Sequence, residues 1–315
     1  MKDYVFGVDV GGTTIKMGLF KSSGDLIEKW EIPTDTSDGG ANILKDISKA
    51  VDDKLSEKGI DKSAVEGIGM GIPGPVDSKG VVNRCVNLGW GVMPVEEELA
   101  KLTGLKVMAG NDANVAAMGE SFRGAAKDAD SSVMITLGTG VGAGIVIGGR
   151  IIAGHNGAAG ECGHIHVKDD EPEACGCGNH GCLEQYASAT GVVRVANRML
   201  TDSDEACRLR DIDDFTSKDV FDAARDGDEF ALKIVSEVCS ILGKAIAKIC
   251  NVVDPEMVVL GGGVSNAGQI LLDEIDPAFK EEVFHGARNT EICLATLGND
   301  AGIFGGAGMI IEAAE

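Results

Sequence analysis

Three stretches of this 315-residue chain combine reactive or coordinating side chains with a spacing that chemistry can use. The first is Asp9-Val10-Gly11-Gly12-Thr13-Thr14, which offers backbone N–H groups that no side chain obstructs, two hydroxyls and one carboxylate. Such a set fits a polyphosphate accompanied by magnesium. Magnesium keeps most of its waters and needs only one or two carboxylates, so Asp9 is expected to orient it directly or through water. A second glycine-hydroxyl tip, Gly138-Thr139-Gly140, and a third cluster, Gly261-Gly262-Gly263, point to the same nucleotide. The arrangement is not a Walker loop, because no G-x-x-x-x-G-K-[ST] occurs, and no G-x-G-x-x-G with a ribose-binding acid is convincingly placed.

The second stretch is Asn111-Asp112, expected at the N-cap of an alanine-rich helix over Ala113 to Phe122. Capping by Asp112 is one reading. The positive helix end also keeps a carboxylate ionised there, which suits a general base for a hydroxyl group. Phosphoryl transfer to an alcohol needs such a base, a metal on the phosphates and backbone donors around the transferred group, and all three have candidates here. The third stretch is Cys175-x-Cys177-x₄-Cys182, preceded by Glu161-Cys162-Gly163-His164-Ile165-His166 and followed by Glu184. Three thiolates at this spacing fill three corners of a tetrahedron, and His164, His166, His180 or Cys162 supplies the fourth. Zinc is the expected metal. With all four corners filled by protein the site is closed, hence structural, and it fixes the loop that displays Glu161 and Glu184.

Alternating, β-rich segments position these residues. Tyr4 to Val10 and Thr14 to Phe20 read as a hairpin with a glycine tip, and Ser132 to Leu137 with Ile145 to Ile147 repeats the device half a chain later. Two related α/β halves are therefore expected. Ala41 to Lys58 and Glu229 to Cys250 carry apolar stripes at helical spacing, whereas Val65 to Met70, Leu105 to Ala109 and Met257 to Leu260 read as strands. The segment from Ala301 to Gly308 reads as a helix with a small-residue face suited to close packing. The expected division places a first α/β domain at residues 1–118, with the helix at 300–315 returning to it, and a larger one at 119–299.

Composition narrows the class of function. With 28 Lys+Arg against 50 Asp+Glu the formal charge is −22, which disfavours nucleic acid and anionic membrane surfaces as partners. Glycine, at 45 residues, is about twice its usual share of roughly 7%. No apolar run approaches the roughly 20 residues of a membrane span. Met1 to Asp9 carries no export signal, and nine cysteines is an odd number, so a reducing cytoplasm is expected.

Taken together, the motifs resemble those of the ROK family of sugar kinases over essentially the whole chain. The resemblance is carried by Asp9 to Lys16, Gly71-Ile-Pro-Gly-Pro-Val-Asp77, Asn87-Leu-Gly-Trp90, Asn111-Asp-Ala-Asn114, Leu137 to Gly142, Gly160 to His164, Cys175 to Glu184 and Val259 to Val264. It implies a two-domain, actin-like (ribonuclease-H-like) α/β fold closing on ATP and a hexose, usually as a homodimer or homotetramer. The implied activity is ATP-dependent phosphorylation of glucose at its 6-hydroxyl; mannose, fructose or N-acetylglucosamine is the alternative acceptor, and a non-catalytic sugar-sensing regulator the remote one. By position, Asp112 becomes the base, while Asn111, Glu161, His164 and Glu184, joined by Gly74 and Asn87, hold sugar hydroxyls. Lys16 joins Asp9, Gly11, Gly12, Thr13 and Thr14 at the nucleotide, with Gly138, Thr139, Gly140, Gly261, Gly262 and Gly263. His164 becomes the fourth zinc ligand beside Cys175, Cys177 and Cys182, one ring nitrogen on the metal and the other toward the sugar. Cys162 departs from the aliphatic residue usual in the family.

Overall fold

In the computed structural model, which describes residues 1–314, strand β1 (Tyr4–Val10) turns through Gly11 to Thr13 into the antiparallel β2 (Thr14–Lys21), followed by β3 (Leu26–Pro33). After a kinked turn, α1 (Ser37–Gly40), helix α2 (Ile43–Lys58) leads into β4 (Val65–Ile72). The chain then forms a small ribbon, β5 (Val81–Val82) with β6 (Met93–Pro94), and continues through α3 (Val95–Thr103) and β7 (Lys106–Asn111) to α4 (Asp112–Arg123). The first sheet has the order β3-β2-β1-β4-β7, with β1, β4 and β7 parallel.

The next strands are β8 (Ser131–Leu137), β9 (Val141–Ile147) and β10 (Arg150–Ile151). The loop carrying the cysteines follows, then α5 (Glu184–Ala187), α6 (Ala189–Thr201), α7 (Ser217–Arg225), α8 (Glu229–Val253), β11 (Met257–Gly261), α9 (Gln269–Glu282), β12 (Glu291–Leu294) and α10 (Ala301–Glu312). The second sheet runs β10-β9-β8-β11-β12. Each sheet thus places its first three strands in reverse order before the fourth and fifth, so the repeated glycine hairpin belongs to a repeated topology.

Two compact units emerge. One holds residues 1–134, 144–160 and 296 onward; the other holds 135–143 and 161–295. Residue 118, the expected cut, lies inside α4, whose glycine-lined face packs against α10 within the first unit. In that unit the period of two in β1 sends Phe6 and Val8 into a core with Ile43, Ile47 and Val51 of α2, while Val5 faces the other way, with Ile303, Ala307 and Ile310 of α10. Glycines permit that second face. A Cβ on Gly7 would stand 1.9 Å from the Ile303 carbonyl oxygen, and one on Gly69 1.9 Å from that of Gly306. On α4, a Cβ on Gly119 would meet the Ala301 carbonyl oxygen at 2.1 Å. Here glycine serves close backbone approach, not flexibility.

The second hairpin differs from its expected form in one respect. The sequence reads Gly138 to Gly144 as one loop, but β9 already starts at Val141, so Gly142, Ala143 and Gly144 are strand residues. Gly144 must be glycine because a Cβ there would lie 2.5 Å from that of Ala117 and 2.7 Å from the Ala113 carbonyl oxygen on α4. Among the described residues no helix is long and apolar enough to cross a membrane.

Candidate functional site

In the first unit the β1–β2 tip is tightly made. The Gly11 N–H donates to the Thr14 carbonyl at 3.0 Å, and the Thr34 hydroxyl donates to the Gly11 carbonyl at 2.7 Å. Gly12 and Thr13 are left exposed at the turn, and Gly12 lies beside Asn87. Asp9 sits across the hairpin from Lys16, whose Nζ is 4.0 Å from the Asp9 carboxylate and also donates to the Asn299 carbonyl. Burial raises the Asp9 pKa above the ordinary carboxylate value; Lys16 opposes the shift, and the negative charge of Asp112 adds to it. A half-buried carboxylate pushed toward neutrality, with a second carboxylate nearby, is suited to a cation.

Asn111 ends β7 and Asp112 opens α4. The cap is Asn111, not Asp112: its Oδ1 accepts from Ala113 N at 3.0 Å and Asn114 N at 3.3 Å, and its Nδ2 donates to the Gly74 carbonyl at 3.1 Å. Asn111 has the extended backbone of a cap residue, which leaves Asp112 as the first helical residue, exposed, with Oδ1 accepting from Ala113 N at 2.8 Å. Gly74, at φ 101°, packs against the Arg84 carbonyl in the loop that carries Asn87. The first unit thus brings together Asp9, Gly11, Gly12, Thr13, Thr14, Lys16, Gly74, Asn87, Asn111 and Asp112.

The second unit gathers the rest. Its glycine tip is closed by Gly138 N donating to the Gly140 carbonyl at 3.0 Å, and the Thr190 hydroxyl holds the Thr139 carbonyl at 2.9 Å. Gly262, at φ 84°, packs against Leu137 at the base of that tip, so the second and third glycine clusters adjoin. A Cβ on Gly140 would stand 2.7 Å from Glu184 Oε2, which puts a proposed sugar ligand beside a proposed nucleotide loop. Glu184 Oε1 is 2.9 Å from Cys175 Sγ and 3.8 Å from His164 Nδ1, while His164 Nε2 is 3.8 Å from Glu161.

The ligand atoms of His164, Cys175, Cys177 and Cys182 all lie within 4.8 Å of one another. Cys177 and Cys182 sulfurs are 3.7 Å apart, and Cys175 Sγ is 3.8 Å from His164 Nδ1. A zinc ion with Zn–S of about 2.3 Å sets sulfurs about 3.8 Å apart at the tetrahedral angle, whereas a disulfide needs about 2.05 Å. The donor set therefore fits zinc, and none of the three cysteines is in a disulfide. Of the other residues considered for the fourth corner, His166 is bound to the His180 carbonyl and Asp169, His180 to the Glu171 carbonyl, and Cys162 is buried with its thiol pushed up to about 11.

The ROK family model matches residues 5–313. The chain belongs to the ROK family. A glucokinase of Halalkalibacterium halodurans is 46% identical to it over 309 residues, spanning 96% of this chain and 94% of that one. Two solved ROK structures are similar over nearly their whole lengths. They are the ROK hexokinase from Thermus thermophilus (TM-score 0.83, 32% identity, 99% of this chain and 98% of that one) and the ROK family glucokinase from Streptomyces griseus in complex with glucose and AMPPNP (TM-score 0.74, 35% identity, 97% and 98%). The doubled strand order is thus that of the two-domain, actin-like fold of ROK sugar kinases.

One group in this ROK chain carries no signal in the sequence. Glu171, in the cysteine loop, has a fully buried carboxylate that accepts two bonds of 2.6 Å from Arg198 and one of 2.5 Å from the Tyr186 hydroxyl. Its partners lie 15 and 27 residues away, at no periodic spacing. The Arg198 guanidinium, against the cost of burial and with help from Tyr186, holds the Glu171 pKa down at about 2 from an ordinary 4.5. The folded-state pKa is depressed, so this stabilisation is full above about pH 4.5 and is lost as pH falls toward 2. Urea midpoints measured from pH 7 to 3 are expected to fall below pH 4.5, and to fall less steeply in Glu171→Gln than in wild type. Parallel curves for the two proteins would refute the assignment.

Proposed function

We propose that this protein is an ATP-dependent glucokinase, transferring the γ-phosphoryl group of ATP to the 6-hydroxyl of glucose. The observation that carries the reading is the near-full-length match to a glucokinase in a chain whose Asp112 stands exposed at the positive end of α4. Asp112 accepts the proton of the attacking hydroxyl, and the helix end stabilises its charged form. Asn111, held by its bonds to Gly74 and to the first turn of α4, presents a fixed amide to the sugar, with Gly74 and Asn87 alongside. Glu161, His164 and Glu184 hold further hydroxyls.

The backbone of Gly11, Gly12, Thr13 and Thr14, with Lys16, and that of Gly138, Thr139 and Gly140 hold the phosphates. Asp9 would hold the accompanying Mg²⁺, which would supply charge neutralisation to the phosphates. Gly261, Gly262 and Gly263 serve the nucleoside; Gly263 already borders a hollow of about 340 Å³ lined by Phe221, Arg225, Val264 and Asn266. Zinc would be held by His164, Cys175, Cys177 and Cys182, and its contribution would be to fix His164 and the loop before Glu184 rather than to take part in the transfer. The reading extends to a cytoplasmic homodimer or homotetramer.

Two measurements test it. ADP release from MgATP, with glucose, mannose, fructose and N-acetylglucosamine in parallel, is expected to favour glucose by tenfold or more in kcat/KM, on the order of what one added or missing group in a pocket supplies. A preference for another hexose would move the substrate, and no sugar-dependent release would sink the kinase reading. For the metal, atomic emission is expected to find one zinc per chain, lost in Cys177→Ala. A metal-free wild type with full activity would remove zinc from the account.

A further inference from the structure

We propose that Glu171, Tyr186 and Arg198 form a brace, separate from the metal, that positions Glu184 for the hexose. The inference rests on the hexose-kinase reading and concerns how one of its sugar ligands is held.

Helix α5 is only four residues long, Glu184 to Ala187, so hydrogen bonds within it cannot fix its orientation. Backbone bonds hold its two flanks, from Leu183 N to the Ile165 carbonyl at 2.9 Å and from Ala189 N to the Gly138 carbonyl at 2.7 Å, and between them its first three side chains grip the cysteine loop in succession. Glu184 Oε1 is 2.9 Å from Cys175 Sγ. Gln185 donates from Nε2 to the Glu173 carbonyl at 2.9 Å and accepts from Cys182 N at 3.0 Å. Tyr186, 4% exposed, donates its hydroxyl to Glu171 Oε2 at 2.5 Å. Two of these fastenings involve metal-binding residues. The third does not, and it ends on a buried carboxylate kept charged by the forked Arg198 guanidinium from α6. A charged acceptor makes the Tyr186 bond roughly twice as strong as a neutral one. Glu171 also bonds the far side of the loop, through its carbonyl to His180 Nδ1 at 3.0 Å.

None of the three residues is placed against the sugar or the phosphates, so they are positioning residues. Because Tyr186 lies two residues from Glu184 on one helical turn, release of its hydroxyl lets α5 tilt while the cysteines keep their grip on the metal. Binding that depends on Glu184 should weaken; the transfer step and nucleotide binding should not.

Tyr186→Phe removes a single oxygen from a packed ring and is the first variant to measure. Its KM for glucose is expected to rise about five- to tenfold, the size of effect that sub-ångström misplacement of a ligand group produces. Its kcat, its KM for MgATP and its zinc content should stay within twofold of wild type. Glu171→Gln should raise the glucose KM as well, and the double variant should be no worse than the more affected single one, since both changes cut one path. A glucose KM within twofold of wild type in Tyr186→Phe overturns the brace. So does an equal rise in both KM values accompanied by metal loss, which is what general loosening of the loop would give. Absence of hexose turnover in the wild type would instead bring down the kinase reading, and the brace with it.

Discussion

Asp112→Asn is expected to lower kcat by about 10²- to 10⁴-fold, the range that a positioned general base contributes, while the glucose KM changes little. The site makes this variant unusually clean. Asn111 provides the cap of α4, and the bond that Asp112 Oδ1 accepts from Ala113 N at 2.8 Å can be accepted equally by an asparagine Oδ1. Removal of the charge also relieves Asp9, whose raised pKa owes part of its shift to Asp112. Melting temperature should therefore stay level or rise as turnover collapses. A variant within tenfold of wild-type kcat would show that the base lies elsewhere.

Gly69→Ala should produce the largest loss of stability, about 3 kcal/mol or more, or no soluble protein. A methyl at this position of β4 meets the Gly306 carbonyl oxygen at 1.9 Å and its carbonyl carbon at 2.6 Å. Both are backbone atoms of a helix wedged against β1, β4 and α4, so no rotamer change relieves the clash and α10 must move bodily. Gly91→Ala is the control, since nothing lies within 4 Å of its would-be Cβ, and it should stay within about 0.5 kcal/mol. Urea denaturation of the two variants separates a steric cost from a general cost of replacing glycine.

The strands were legible because half-buried sheets impose a period of two and glycine marks their tips, as in Tyr4 to Phe20. The proximity of the three cysteines was legible because a single loop supplies them, from Cys175 to Cys182. Where glycine answers to a neighbour distant in sequence, the reading failed: Gly144 looks like a loop residue until Ala113 and Ala117 are seen against it. The same holds for Glu171, an ordinary acidic residue among others in Asp169-Asp170-Glu171, until Arg198 and Tyr186 close on its carboxylate. The capping role fell one residue away from where it was expected because Asn111 also bonds Gly74, a contact that fixes its side chain before the helix begins.

The place of α10 in the chain has a consequence for biosynthesis. Val5 and Phe20 share their core with Ile303, Ala307, Ile310 and Ile311, so one face of the first sheet is covered only in part, by α4, until residues 301–312 have been translated. Every residue of the second unit precedes them. Domains generally fold as units from the N-terminus as they leave the ribosome, but here that order is blocked. The glycine-lined face of β1 and β4 must wait, open to water and to chaperones, while the whole second unit is made and folds. The part of the molecule that is synthesised first is completed last.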